Sequence, residues 1–213
     1  MAIQHFLTLA DLPKADLAAI INRAIEFKKD PSVAKKISGA TLALIFEKSS
    51  TRTRVAFEVA MAQLGGAAIF LANADSQLGR GEPIADSARV LSRMVDCVSI
   101  RTFAHAKLEE FAKYSTVPVI NALSDDFHPC QLLADVQTYQ EHRGSIAGKR
   151  VVWIGDGNNM CNSYMNAAAA FDFELVVCAP AGYTPKPSLL AALKDRVQLI
   201  DDPSKAVVDA DLV

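Results

Sequence analysis

The feature that most limits how this chain can fold is a repeated alternation of short apolar runs with longer segments of helical spacing. Thr41–Phe46 (TLALIF) is apolar at nearly every position, the pattern of a strand buried on both faces. Arg54–Leu64 (RVAFEVAMAQL) follows as a helix closed by Gly65-Gly66. Ala67–Leu71 reads as a second strand, and Pro83–Val95 as a helix with proline near its start. Cys97–Ile100 and Val117–Asn121 are two further strands with a helix between them. Before all of these, a helix is expected from about Pro13 to Lys29, with Leu17, Ile20, Ile21 and Ala24 facing a core and two lysines ahead of the Asp30-Pro31 stop. Strands alternating with helices argue for a parallel sheet covered on both faces.

The alternation restarts near Arg143. Gln131–His142 reads as one helix with Leu132, Leu133 and Val136 on one side. After the loop RGSIAGK come a strand at Arg150–Ile154, a helix over Asn162–Ala170 and a strand at Glu174–Cys178. This is a fresh βαβ unit. The expected architecture is therefore α/β, two doubly wound parallel-sheet domains spanning residues 1–142 and 143–213. Val207–Val213 (VVDADLV) looks like a helix end entering another buried strand. A strand ending inside its own apolar run would leave an uncovered edge, so the second domain is expected to be incomplete; a short terminal strand is the alternative.

Composition narrows the function. The 213 residues are 51% apolar and 22% charged, ordinary for a globular protein with a sizeable core. A net charge of −2 supplies no field for nucleic acid or an anionic membrane, although a local basic site could still hold a phosphate. The four cysteines, Cys97, Cys130, Cys161 and Cys178, show no C-x-x-C pair and no histidine at zinc spacing. They read as reduced thiols used as apolar filler, with disulfides as the alternative. Neither a signal peptide nor a run long enough to span a bilayer is visible, so a cytoplasmic location is expected.

In open parallel sheets, ligands bind beyond the carboxyl ends of the strands. After TLALIF comes Glu47-Lys48-Ser49-Ser50-Thr51-Arg52-Thr53-Arg54, running straight into a helix. Arg101 and Thr102 follow a second strand, and a third leads to His128-Pro129-Cys130-Gln131 at the mouth of another helix. Ser50–Thr53 suits a phosphate because the first N–H groups of a helix lack partners and its dipole favours an anion. Hydroxyls from Ser50, Thr51 and Thr53 add donors, and Arg52 can grip two oxygens in its fork. Ordinary capping by Ser49 or Ser50 is the alternative, but it does not explain arginines in a first turn, where they oppose the dipole. Arg101 and His128 would each be weak indicators alone; their weight comes from accompanying Arg52. Cys130 has no second histidine to activate it and reads as packing.

These residues resemble a known family. Phe46–Arg54 (FEKSSTRTR) and His128–Gln131 (HPCQ) are similar to the two signature motifs of the carbamoyltransferases. Ser76–Glu82 (SQLGRGE) and Trp153–Met160 (WIGDGNNM) resemble the ornithine branch, and the lysine-bearing loop of the aspartate branch is missing. The resemblance implies transfer of a carbamoyl group from carbamoyl phosphate to the δ-amine of L-ornithine, with no metal or organic cofactor. It implies that Ser50, Thr51, Arg52 and Thr53 hold the phosphate. Arg101, His128 and Gln131 would reach the carbonyl and amide, with Pro129 and Cys130 lining that contact. Gln77 would come from a neighbouring subunit of a homotrimer, and Asn159 would bind ornithine. Arg52, Thr53, Arg101 and His128 would be the catalytic set. Two further family elements, an Asp/Ser-Met segment and a His-Cys-Leu-Pro loop, do not occur in residues 160–213, so weak turnover is expected of this polypeptide.

Other readings remain open. Gly155-Asp156-Gly157 at a strand–helix turn suggests a dinucleotide fingerprint, but the third glycine position is Met160 and no acid follows the next strand. An aspartate-, putrescine- or acetylornithine-using relative, or a noncatalytic regulator on the same fold, would share much of the pattern.

Overall fold

The computed structural model describes residues 4–72 and 78–213. They divide into two compact units, one formed by the residues through Leu7 with Asp30–Asp125, the other by Thr8–Lys29 with Asp126–Val213.

The first unit is built on a four-stranded parallel sheet. Its strands are β1 (Thr41–Phe46), β2 (Ala67–Ala72), β3 (Cys97–Arg101) and β4 (Val119–Leu123), in the order β2-β1-β3-β4. Alternation along β1 sends successive side chains to opposite faces. Ala43 and Ile45 join Ala88 of helix α3 (Ile84–Leu91) and Leu108 and Phe111 of α4 (His105–Tyr114). Leu42, Leu44 and Phe46 meet Phe57 and Met61 of α2 (Thr51–Leu64). Helices thus cover both faces, which is why β1 has no polar side. The free edge of β4 is capped near the N-terminus, where Phe6 bridges Ile120 in parallel and donates its N–H to Val119 O at 2.8 Å.

The second unit carries a three-stranded parallel sheet of β5 (Arg150–Ile154), β6 (Glu174–Cys178) and β7 (Val197–Leu199). Around it lie α1 (Lys14–Lys29), α5 (Pro129–Arg143), α6 (Asn159–Phe171), α7 (Pro187–Ala192) and α8 (Pro203–Ala206). Helix α1 buries Leu17 and Ile21, but Ile20, expected in the same stripe, is 41% exposed. Lys28 of α1 pairs with Glu141 of α5 at 2.5 Å, and Gln140 of α5 donates to Asn22 at 3.1 Å. By packing, then, α5 goes with α1 and α6, whereas by sheet membership the new unit starts only at Arg150.

Boundaries differ from expectation for local reasons. Helix α2 begins at Thr51 rather than Arg54, because Ser50 caps it in extended conformation. Strand β4 starts two residues late, after Pro118, which has no N–H to give a ladder. The segment expected to enter a new strand near the C-terminus forms one parallel bridge, Leu212 to Val151, with Val152 N–H donating to Leu212 O at 2.8 Å.

Candidate active site

The first strand delivers the chain into a helix start shaped by its hydroxyls. Ser50 Oγ accepts from Thr53 N at 3.4 Å and donates to Thr53 Oγ1 at 2.8 Å, fixing the first turn of α2. Arg54 is committed elsewhere: its Nε donates to Glu58 at 2.8 Å and its guanidinium lies 3.8 Å from the centre of the Phe70 ring. Arg52 is exposed and has no ion-pair partner among the described residues. The two arginines of the turn therefore differ: Arg54 carries an ion pair and a ring contact, whereas Arg52 carries no ion pair among the described residues. An open cleft of about 590 Å³ adjoins this turn, lined by Glu47, Ser49, Ser50, Thr51, Arg54 and Gly79 among others.

Sheet order brings Arg101 to the same end of the first unit. Strands β1 and β3 are neighbours, and Phe46 pairs in register with Arg101. The β3–β4 register slips between Ile100 and Arg101, so the ladder is irregular at this strand end. Arg101 Nε is buried without a hydrogen bond, and burial lowers the guanidinium from its ordinary value, though it remains charged near neutrality.

Glu47, to which the sequence assigned no role, ties the two strand ends together. Its N–H donates to Arg101 O at 2.8 Å. Its carboxylate accepts from Thr102 Oγ1 and, at 2.6 Å, from Lys107 Nζ, and its side chain is only 8% exposed. Burial works to raise this carboxyl, but the bonds from Lys107 and Thr102 and the lysine charge outweigh it and hold it below the usual range. An acidic residue directly after a fully buried strand was the one signal for it in the sequence.

His128 and Gln131 belong to the second unit and open α5. Pro129 occupies the first turn, where its missing N–H costs nothing. His128 N–H donates to Ser163 Oγ at 2.8 Å, and Asn162 Nδ2 donates to Asp126 O at 3.1 Å, so α6 holds the start of α5 at two points. Gln131 is exposed, with its Nε2 on Asp135 at 2.9 Å. Burial pushes the thiol of the half-buried Cys130 up to about 12, which disfavours the thiolate that a nucleophile needs.

At the head of β5, Asn158 caps α6 by accepting from Met160 N at 2.9 Å, and Asn159 is the first helical residue. Gly157 has a packing reason to be glycine. A Cβ there would lie 2.4 Å from Pro185 N, and its own N–H donates to Tyr183 O at 2.7 Å. That removes the main motive for a dinucleotide reading, because this turn is closed by the chain's own backbone. Gln77 and Ser76 lie outside the described residues. Among the described residues, no group of three His, Cys, Asp or Glu side chains could hold a metal ion, and no helix is long and apolar enough to cross a membrane.

Comparison with known proteins bears on the whole chain. Residues 4–141 match the family model described as aspartate/ornithine carbamoyltransferase, carbamoyl-P binding domain, and residues 147–213 match its Asp/Orn binding domain. An ornithine carbamoyltransferase of Nitrosococcus oceani is 58% identical over all of this chain and 71% of the relative's length. The anabolic ornithine carbamoyltransferase 1 of Pseudomonas savastanoi pv. phaseolicola is similar to the same degree and over the same shares. Among solved structures, ornithine carbamoyltransferase from Burkholderia thailandensis superposes with a TM-score of 0.92 at 46% identity, covering 99% of this chain and 74% of that one. The Pyrococcus furiosus enzyme gives the same score and identity over 99% and 71%. With both family domains matched in order and relatives of this identity along its full length, the chain belongs to the aspartate/ornithine carbamoyltransferase family.

Proposed function

We propose that this protein transfers the carbamoyl group of carbamoyl phosphate to the δ-amine of L-ornithine, releasing L-citrulline and phosphate. The observation that carries the donor half is the hydroxyl-rich start of α2, with Arg52 uncommitted and Arg101 on the adjoining strand. Ser50, Thr51, Arg52 and Thr53 take the phosphate, through helix N–H groups, hydroxyls and a guanidinium fork. Thr53, Arg101 and His128 act on the carbonyl oxygen, and Gln131 on the carbamoyl amide, with Pro129 and Cys130 beside it. Asn159 contacts ornithine. By this assignment residues 1–142 serve the donor and 143–213 the acceptor, a division supported by where the two family matches lie.

The chemistry follows from charge. The lone pair of the neutral δ-amine forms a bond to the carbonyl carbon, and the carbonyl oxygen gains negative charge. Donors already in place stabilise that charge more in the transition state than in the substrate. The tetrahedral intermediate then breaks its bond to the bridging oxygen, which leaves with the electron pair as phosphate. The amine proton is lost to the departing phosphate. No metal or organic cofactor takes part in this scheme.

The protein acts as a homotrimer in this reading, with Gln77 lent to a neighbouring subunit. What supports a partner is an apolar face on the first unit. Helix α2 buries none of its residues fully, Val55 and Val59 are 50% and 46% exposed one turn apart, and Ile69 on the edge strand β2 is 48% exposed. A cytoplasmic location fits a reaction between two water-soluble metabolites.

The test has two parts. Titration calorimetry with carbamoyl phosphate should show binding. Incubation of carbonyl-labelled carbamoyl phosphate with equal ornithine, aspartate and putrescine should put label in citrulline. Absence of binding overturns the donor assignment; label in carbamoyl-aspartate or carbamoyl-putrescine overturns the acceptor.

A further inference from the structure

An amide side chain offers a donor on one arm and an acceptor on the other, and its usefulness depends on which arm faces the ligand. In Gln131 that choice is made by a neighbour one turn along α5. Asp135 Oδ1 accepts from Gln131 Nε2 at 2.9 Å, and a carboxylate can only accept, so the amide nitrogen must turn toward it. Gln131 Oε1 is then the arm left for a ligand. Asp135 is itself held: its other oxygen accepts from Tyr164 Oη of α6 at 3.1 Å. Tyr164 is a permanent donor, because burial, and then the Asp135 charge, push its phenol well above the ordinary range. Its ring rests against Trp153 of β5 with centroids 5.7 Å apart, and Trp153 Nε1 donates to Asp156 O at 3.0 Å. The chain of contacts thus runs from the sheet of the second unit, through Tyr164 and Asp135, to one amide.

We propose that Asp135 is a positioning residue that locks Gln131 with its acceptor oxygen outward, so that the site selects an acyl phosphate bearing –NH₂ over one bearing –CH₃. The inference rests on the reading that Gln131 meets the carbamoyl amide of the donor. An outward Oε1 accepts from a carbamoyl N–H, whereas the methyl of acetyl phosphate, otherwise close in shape and charge, offers it nothing and leaves it unpaired. A free amide could instead rotate and present either arm.

The measurement is the ratio of dissociation constants for acetyl phosphate and carbamoyl phosphate, by calorimetry. In Asp135→Ala the ratio should fall about 3- to 10-fold, the value of one ordinary hydrogen bond. Asp135→Asn keeps a carbonyl to accept from Gln131 and should retain most of the preference. In a Gln131→Ala background, Asp135→Ala should no longer change the ratio. If Asp135→Ala fails to fold, Tyr164→Phe removes one of the two tethers on Asp135 and should lower the ratio about 2-fold. A role in stability alone would weaken both ligands equally; an unchanged ratio in the folded variants overturns the proposal, as does an equal fall without Gln131. Absence of carbamoyl phosphate binding by the unaltered protein overturns the donor reading as well, whereas binding without the change in ratio overturns only the role of Asp135.

Discussion

Replacing Glu47 by glutamine and by alanine separates what its charge does from what its shape does. The carboxylate accepts from the buried Thr102 hydroxyl, from Lys107 Nζ at 2.6 Å and from the Phe103 backbone N–H. Lys107 is 43% exposed, so solvent screens that pair and its share is about 0–1 kcal/mol. The Thr102 bond is buried and charge-assisted, about 1.5–3 kcal/mol. In Glu47→Gln the amide oxygen can stay on Lys107, which has no acceptor. The amide nitrogen then faces Thr102 Oγ1, whose hydroxyl turns from donor to acceptor. The charge assistance is lost, about 1 kcal/mol, while most of the packing is kept. Glu47→Ala loses all three bonds and strands a buried hydroxyl and a backbone N–H, at least about 3 kcal/mol. Urea unfolding of the first unit's signal should rank wild type, glutamine and alanine in that order. Carbamoyl phosphate affinity should follow the same order, since Glu47 registers the α2 start against Arg101. The pH dependence has a definite sign. The folded carboxyl titrates below its ordinary 4.5, so its contribution is complete above that pH and is lost as pH falls through the lower folded value. The gap between wild type and Glu47→Gln should therefore close in acid. Equal losses in the two variants, or a gap that widens below pH 4.5, would refute this account of the loop.

Two further outcomes follow. Arg52→Ala should cost at least about 30-fold in carbamoyl phosphate affinity, as expected for truncating one side of a charged hydrogen-bonded pair. Its unfolding midpoint should barely move, because Arg52 is exposed and unpaired among the described residues; intact affinity would remove it from the site. Gly157→Ala should destabilise the second unit by about 3 kcal/mol, because the new Cβ meets backbone atoms of Thr184 and Pro185 that cannot swing aside. Calorimetric melting should show this as a loss of several degrees, and an unchanged Tm would mean that the segment packs otherwise.

Much of this protein was already present in local patterns. An apolar run without a wet side, as in TLALIF, means a strand buried on both faces, and the alternation of TLALIF, AAIFL and CVSI with helical segments argues for a parallel α/β arrangement, although the edge strand β2 leaves Ile69 48% exposed. Ser50, Thr51, Arg52 and Thr53 stood out because capping and anion binding are rules about neighbours in sequence. Short elements escaped: β7, α7 and α8 have three to six residues, too few to show a period. What no local pattern contained were pairings between distant positions. Glu47 meets Thr102 across 55 residues, and Asp135 meets Tyr164 across 29. Ile20 turned to solvent while Leu17 and Ile21 on the same helix were buried. A sequence period tells which side chains share a face, but the width of the surface packed against that face is set by other elements. So, too, is the difference between two guanidinium groups two residues apart: Phe70 and Glu58 hold Arg54, whereas Arg52 is exposed with no ion pair among the described residues.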